Sequence, residues 1–71
     1  MQIPKIKMAT GSQLNYIEIL CNDIGCHNRT QALSLISNHI GREITFYGSL
    51  SKAEATSVIE ELRRRKYGHD A

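Results

Sequence analysis

Apolar residues recur at steps of three and four along three stretches of the chain, with polar residues filling the positions between. Leu14, Ile17, Leu20, Cys21 and Ile24 make the first stripe, and Tyr16 and Ile19 widen it on one side. Ala32, Leu33, Leu35, Ile36 and Ile40 make the second; Ala55, Val58, Ile59 and Leu62 make the third. This period matches the α-helical turn, so each stretch predicts a helix with one buried face. A helix-start signature precedes each stripe. Thr10 with Gln13, Asn28 with Gln31 and Ser51 with Glu54 all read as capping boxes. In such a box the first side chain accepts from an otherwise unpaired backbone N–H, and the Gln or Glu reaches back to the cap's own N–H.

Helices are therefore expected over residues 11–24, 29–40 and 52–67. Gly25 and Gly41 are the left-handed stops of the first two. With Ile24 as the C-cap, Cys26 can pack back on Cys21. Leu50, just before the third cap, is placed to staple onto Ala55. Residues 42–50 form the connection. There Ile44 and Phe46 are spaced as in an extended segment and are expected to cover the end of the bundle, while Gly48-Ser49 reads as a turn. In residues 1–8 apolar Ile3, Ile6 and Met8 alternate loosely with Lys5 and Lys7, and Pro4 lacks a backbone donor, which leaves an arm or an edge strand. The fold class is all-α: a three-helix bundle with an irregular or extended connection between helices 2 and 3. Its organisation is an arm or edge segment (1–8), one domain (9–67) and a tail (68–71). The expected core is Leu14, Ile17, Leu20, Ile24, Leu33, Ile36, Ile40, Leu50, Val58, Ile59 and Leu62.

Composition narrows the function classes. A chain of 71 residues is one domain, and one of this size buries only about 60% of its unfolded surface. That leaves little room for a catalytic cleft with supporting layers. Net charge is +2, from 9 Lys and Arg against 7 Asp and Glu, which permits nucleic-acid binding without demanding it. No apolar run approaches the ~20 residues of a membrane span, and the N-terminus lacks a signal-peptide core, so a soluble cytoplasmic protein is expected.

Catalytic and metal chemistry find no support. Cys21, Cys26, His27, His39 and His69 lack the spacing of a tetrahedral zinc site, and the two cysteines read as small core residues. A Cys21–Cys26 disulfide is disfavoured in a reducing compartment. Cys26 and His27 are adjacent, an arrangement that seldom points a nucleophile at its base. No enzyme activity, no cofactor and no metal are expected.

Two polar features carry the functional expectation. Arg63, Arg64, Arg65 and Lys66 crowd the last turn of helix 3, where they suit the negative end of the helix dipole and can also contact phosphates. Glu60 and Glu61 stand four residues before Arg64 and Arg65, in the favourable order for ion pairs. Arg29 and Arg42 are further candidate phosphate contacts. The polar face of helix 2 presents Arg29, Thr30, Gln31, Ser34 and Asn38, residue types that read base edges. Helix 1, the turn at 25–27 and helix 2 have the outline of a helix-turn-helix. Tyr16, Phe46 and Tyr47 are available for stacking on bases or for boundary packing.

Several motifs in order carry a family resemblance: Met8-Ala9-Thr10, Gln13-Leu14 and Ile17, Gly41-Arg42-Glu43-Ile44, Leu50-Ser51-Lys52-Ala53-Glu54-Ala55, and Val58-Ile59-Glu60-Glu61-Leu62. Over residues 8–66 the chain resembles a small helical domain of phage and prophage proteins, found alone or at the ends of proteins associated with DNA replication or recombination. It is also distantly similar to a helical segment of the regulatory protein of Mu-like phages. Ser51 stands where the pattern usually has Thr, which keeps the cap, and Phe46-Tyr47-Gly48 departs from the usual Tyr-Leu. The resemblance implies a mobile-element origin and a helical binding module, and it implies no catalytic residues. A second resemblance, over residues 17–40, is to the two helices of a ribbon-helix-helix repressor. There Gln2, Lys5 and Lys7 would read DNA from a strand paired with a second copy. Pro4 and the third helix count against it.

The expected function is a non-enzymatic binding module contacting nucleic acid through Arg63, Arg64, Arg65 and Lys66, with Arg29 and Arg42. The alternatives are a protein-docking domain that recruits a replication or recombination partner through Tyr16, Ile19, Phe46 and Tyr47, or a dimeric repressor.

Overall fold

The computed structural model describes residues 7–68. Among them are three α-helices, α1 (Gly11–Asp23), α2 (Arg29–Ile40) and α3 (Lys52–Tyr67), with a single 3₁₀ turn at Tyr47–Ser49. The chain is an all-α three-helix arrangement, and the connection between α2 and α3 is irregular apart from that turn. Every helix begins where its cap predicts. Thr10 and Ser51 close full capping boxes: the Thr10 hydroxyl accepts from the Gln13 N–H at 3.1 Å, and that of Ser51 from the Glu54 N–H at 3.1 Å. The third signature is only half built. The Asn28 carboxamide oxygen accepts from the Thr30 N–H at 2.7 Å, and Gln31 makes no return bond to it. An Asn oxygen this close to its own backbone satisfies the second N–H of the helix, a local geometry that needs no help from Gln31.

α1 ends at Ile24 in a Schellman motif. Gly25 lies at φ 93°, its N–H donates to Asn22 O at 3.1 Å, and the Cys26 N–H donates to Cys21 O at 2.8 Å. Cys26 is half-buried against the core, as the stop predicts.

Two polar contacts fix how α1 lies on α3. The Gln13 carboxamide donates to the Thr56 hydroxyl at 3.2 Å, and Lys66 Nζ donates to Asp23 at 2.8 Å. Both pairs are 43 residues apart, so the two helices run parallel, side by side. α2 crosses back: His39, near its end, bonds Ser57, near the start of α3, at 2.9 Å. Arg65, near the end of α3, borders the start of α2. α1 and α2 both lean chiefly on α3. The tightly packed helix pair of a helix-turn-helix is therefore not the arrangement here.

The core consists of Ile17, Leu20, Cys21, Ala32, Ile36, Ile44, Leu50, Ala55, Val58 and Leu62. Six of these were expected as core. Leu14, Ile24, Leu33, Ile40 and Ile59 are half-buried and pack against its rim. Tyr16 and Ile19 do not widen the α1 stripe. Both are exposed, because α3 covers only the Ile17–Leu20–Cys21 side. The connection also divides differently from expectation: Ile44 is buried, while Phe46 is 56% exposed. The Ile44 N–H is held by the Ser37 hydroxyl at 3.0 Å, which turns that side chain inward. Leu50 and Ala55 are both fully buried, as the staple requires.

Residues 7–9, just before α1, pair with the start of α3. Ala9 N–H donates to Leu50 O at 3.1 Å and Lys52 N–H donates to Lys7 O at 2.7 Å, making one antiparallel bridge between Met8 and Ser51. The expectations for Gln2, Ile3, Pro4, Lys5, Ile6 and His69 lie outside the described residues. No helix among the described residues is long and apolar enough to cross a membrane.

Candidate functional site

Over its twelve residues α2 carries no Asp or Glu. It buries Ala32 and Ile36 fully and packs half-buried Leu33, Leu35 and Ile40 against the core, so the opposite side of the helix faces outward. Thr30, Gln31, Ser34 and Asn38 are exposed. Their side chains make no hydrogen bond to any described residue. Ser34 and Asn38 stand between two shallow depressions and border both. One depression is closed by the loop from Gly41 to Thr45, the other by Gly25, Cys26, His39 and Arg65. The helix is thus a ridge of unengaged donors and acceptors, with Arg42 beyond one flank and Arg65 beyond the other.

The basic residues are mostly engaged within the chain. Arg42 is the most constrained. Its Nε donates to Glu54 Oε2 at 2.8 Å, and its Nη2 donates to Glu54 Oε1 and to Ser49 O, both at 2.7 Å. Only Nη1 is left for an outside partner. This fork, together with the Ser51 N–H that also donates to Glu54, holds the Glu54 carboxyl down at about 2 and raises the Arg42 guanidinium further above its usual range.

At the end of α3, Glu61 takes both Arg64 and Arg65, the latter at 2.8 Å. The expected Glu60–Arg64 pair does not form. Glu61 lies half-buried beside the core face while Glu60 is exposed, so both guanidinium groups fold onto the inner acid. They hold the Glu61 carboxyl below the usual carboxylate range. Lys66 is bonded to Asp23, which raises its ammonium above the ordinary lysine value. Arg29 lies 3.7 Å from Glu18 and over the Tyr47 ring, 5.6 Å from its centroid. Arg63 has no ion pair among the described residues. The six basic candidates therefore do not form one free patch. Arg42 and Arg65 flank the outer face of α2, Arg29 lies on its α1 side, and Arg63, Arg64 and Lys66 complete the end of α3.

The cysteines and histidines are accounted for locally. Burial pushes the Cys21 thiol up to about 11, so it stays protonated at neutral pH. The His27 ring bonds Asn22 at 3.1 Å. Among the described residues no group of three or more His, Cys, Asp or Glu is gathered as a metal site.

The exposed apolar side chains include Tyr16, Ile19 and Phe46. Ile19 and half-buried Tyr47 border one depression together with Glu18 and Arg29. The Phe46 ring leans over Gly48, where an added Cβ would come within 3.0 Å of it.

No protein-family model matches the chain, and neither curated proteins nor solved structures yield a match.

The sequence carried the α2 face, the basic residues and the Glu61–Arg65 pair, which forms, but not the partners of Arg42, Arg29 and Lys66. Glu54 was visible as the third residue of a capping box. Its second role, as the acceptor for Arg42, depends on the loop bringing residues 42 and 54 together, and no local signal carries that.

Proposed function

We propose that this chain is a small non-enzymatic module that contacts nucleic acid through the outer face of α2. Arg65 and Arg42 lie at the margins of that face, while Arg29 sits on the α1 side of the helix against Glu18 and Tyr47. The observation that carries the reading is the acid-free ridge of Thr30, Gln31, Ser34 and Asn38, whose polar groups are exposed and unengaged. The helix itself brings no carboxylate to repel phosphates, the nearest acid at its flank being Glu43 on the Arg42 side, and amide and hydroxyl side chains bond both phosphates and bases. Arg63, Arg64 and Lys66 add positive field at the end of α3. The phage-type resemblance fits a role in replication, recombination or regulation of a mobile element.

An NMR titration of labelled protein with short duplex and single-stranded DNA, at low and then raised salt, tests this. Shifts should centre on 30–38 and Arg65 and shrink with salt, because each phosphate contact releases counterions. Salt-insensitive shifts, or none at high DNA excess, would remove the reading.

A second reading, protein docking, has its own support. Tyr16 and Ile19 are exposed one turn apart on α1, and Ile19 shares its depression with Tyr47. Exposed aromatic and aliphatic side chains of this kind suit the centre of a protein interface. The repressor alternative assigns DNA reading to Gln2, Lys5 and Lys7. Of these only Lys7 is described, and its carbonyl is already bonded to Lys52 of the same chain.

A further inference from the structure

We propose that the nucleic acid is duplex DNA and that α2 reads it from the major groove, with Gln31, Ser34 and Asn38 as the base-reading side chains. The inference rests on the nucleic-acid reading above and adds a ligand class and residue roles to it.

Shape comes first. The major groove of B-DNA is about 12 Å wide and admits one α-helix, provided that the helix stands clear of its own protein. α2 does so, with an open depression on each side of the Ser34–Asn38 ridge. Gln31, Ser34 and Asn38 follow at steps of three and four, so they share one face. They span about 10 Å of helix axis at 1.5 Å per residue, which matches roughly three base pairs at 3.4 Å each.

Chemistry agrees with shape. Gln and Asn can bond an adenine edge through N6 and N7 together, and Ser can donate or accept. These three side chains have no internal partner among the described residues that would have to be broken first.

The flanks supply positioning. Arg65 on one side and Arg42 on the other are held by Glu61 and Glu54, so their remaining N–H groups are fixed rather than mobile. Glu43 borders the Arg42 side. Its charge repels phosphate there, so the closer backbone contact falls on the Arg65 side.

Other nucleic acids fit this face less well. Single strands are held by aromatic side chains along a basic groove, and neither depression beside α2 is bordered by Phe or Tyr. The Tyr47 ring is covered by Arg29 instead. Duplex RNA has a major groove too narrow and deep for side chains to read.

The test is selection from a pool of short random-sequence duplexes, followed by sequencing, with length-matched random single strands as competitor. The wild-type protein should enrich a short common sequence and prefer duplex. Asn38→Ala and Gln31→Ala should each lose roughly tenfold preference at one base position while keeping binding to random duplex. Arg65→Ala should weaken binding to all sequences alike. Ala is a good helix former and both reading positions are exposed, so circular dichroism should show the fold unchanged in those two variants. Duplex binding with no enriched sequence, or tighter binding to single strands, would overturn base reading by α2 and leave nucleic-acid contact standing. Absence of binding to either pool would overturn both.

Discussion

Arg42 shows how one side chain takes on a structural duty that its type does not announce. It was expected to be a phosphate contact, yet three of its N–H groups hold Glu54 and Ser49. It thereby ties the end of α2 to the start of α3. Glu54 is the centre of this latch, because it also closes the α3 capping box. The linkage has a definite sign. The Glu54 carboxyl titrates at about 2 in the folded chain, held below its ordinary value of 4.5 by the Arg42 fork. Its ionised form therefore stabilises the fold above about pH 4.5, and that contribution is lost as pH falls from there towards 2. Urea midpoints measured against pH should fall across this window in the wild type. Glu54→Gln should be less stable at neutral pH, and the difference between the two proteins should narrow on the acid side. A gap that stayed constant with pH would count against the latch. Because the pair is partly exposed, solvent screens it and the effect is modest.

At the scale of elements, the ends of the helices are the best-specified features of the chain. Caps are local: Thr10, Ser51 and the glycines at 25 and 41 act on backbone groups within a few residues, so they can be read without knowing the fold. All three helices start and stop within a residue of expectation for that reason. Gly41 gives a direct check. It sits at φ 81° as the left-handed cap of α2, and nothing lies within 4 Å of where a Cβ would be. Gly41→Ala should therefore cost about 1–2 kcal/mol from backbone strain alone, read as a lower thermal or urea midpoint without loss of helix content. Side-chain pairing was far less legible. Glu61 rather than Glu60 receives Arg64, because burial beside the core decides which acid the guanidinium reaches. Lys66 meets Asp23 across 43 residues, a contact that exists only once α1 and α3 lie parallel.

At the scale of the molecule, the apolar stripes were legible as helix faces but not as one packed core. Leu20, Ile36 and Leu62 are fully buried. Substituting Leu20 or Leu62 by Ala should cost about 2–5 kcal/mol, a large share of the stability of so small a domain, and should appear as unfolding at much lower urea. Phe46 and Ile19, equally apolar by sequence, lie outside, because packing decides which apolar residues are covered. The site follows the same pattern. The residue types of the α2 face could be read from the sequence. That the face stands as a ridge, and that Arg42 and Arg65 flank it, depended on α2 folding back along α3.

The central claim is that the acid-free outer face of α2 is where nucleic acid binds. Placing one carboxylate at its middle tests that claim most directly. Ser34 is exposed, its side chain makes no hydrogen bond to any described residue, and it lies in the interior of α2, where Glu is well tolerated. The affinities of the wild type and of Ser34→Glu for a short duplex would be measured at low salt by fluorescence anisotropy, with circular dichroism confirming equal helix content. The account predicts salt-sensitive binding by the wild type and a loss of roughly tenfold or more in the variant. Equal affinity of the two proteins, or no binding by the wild type, would contradict it.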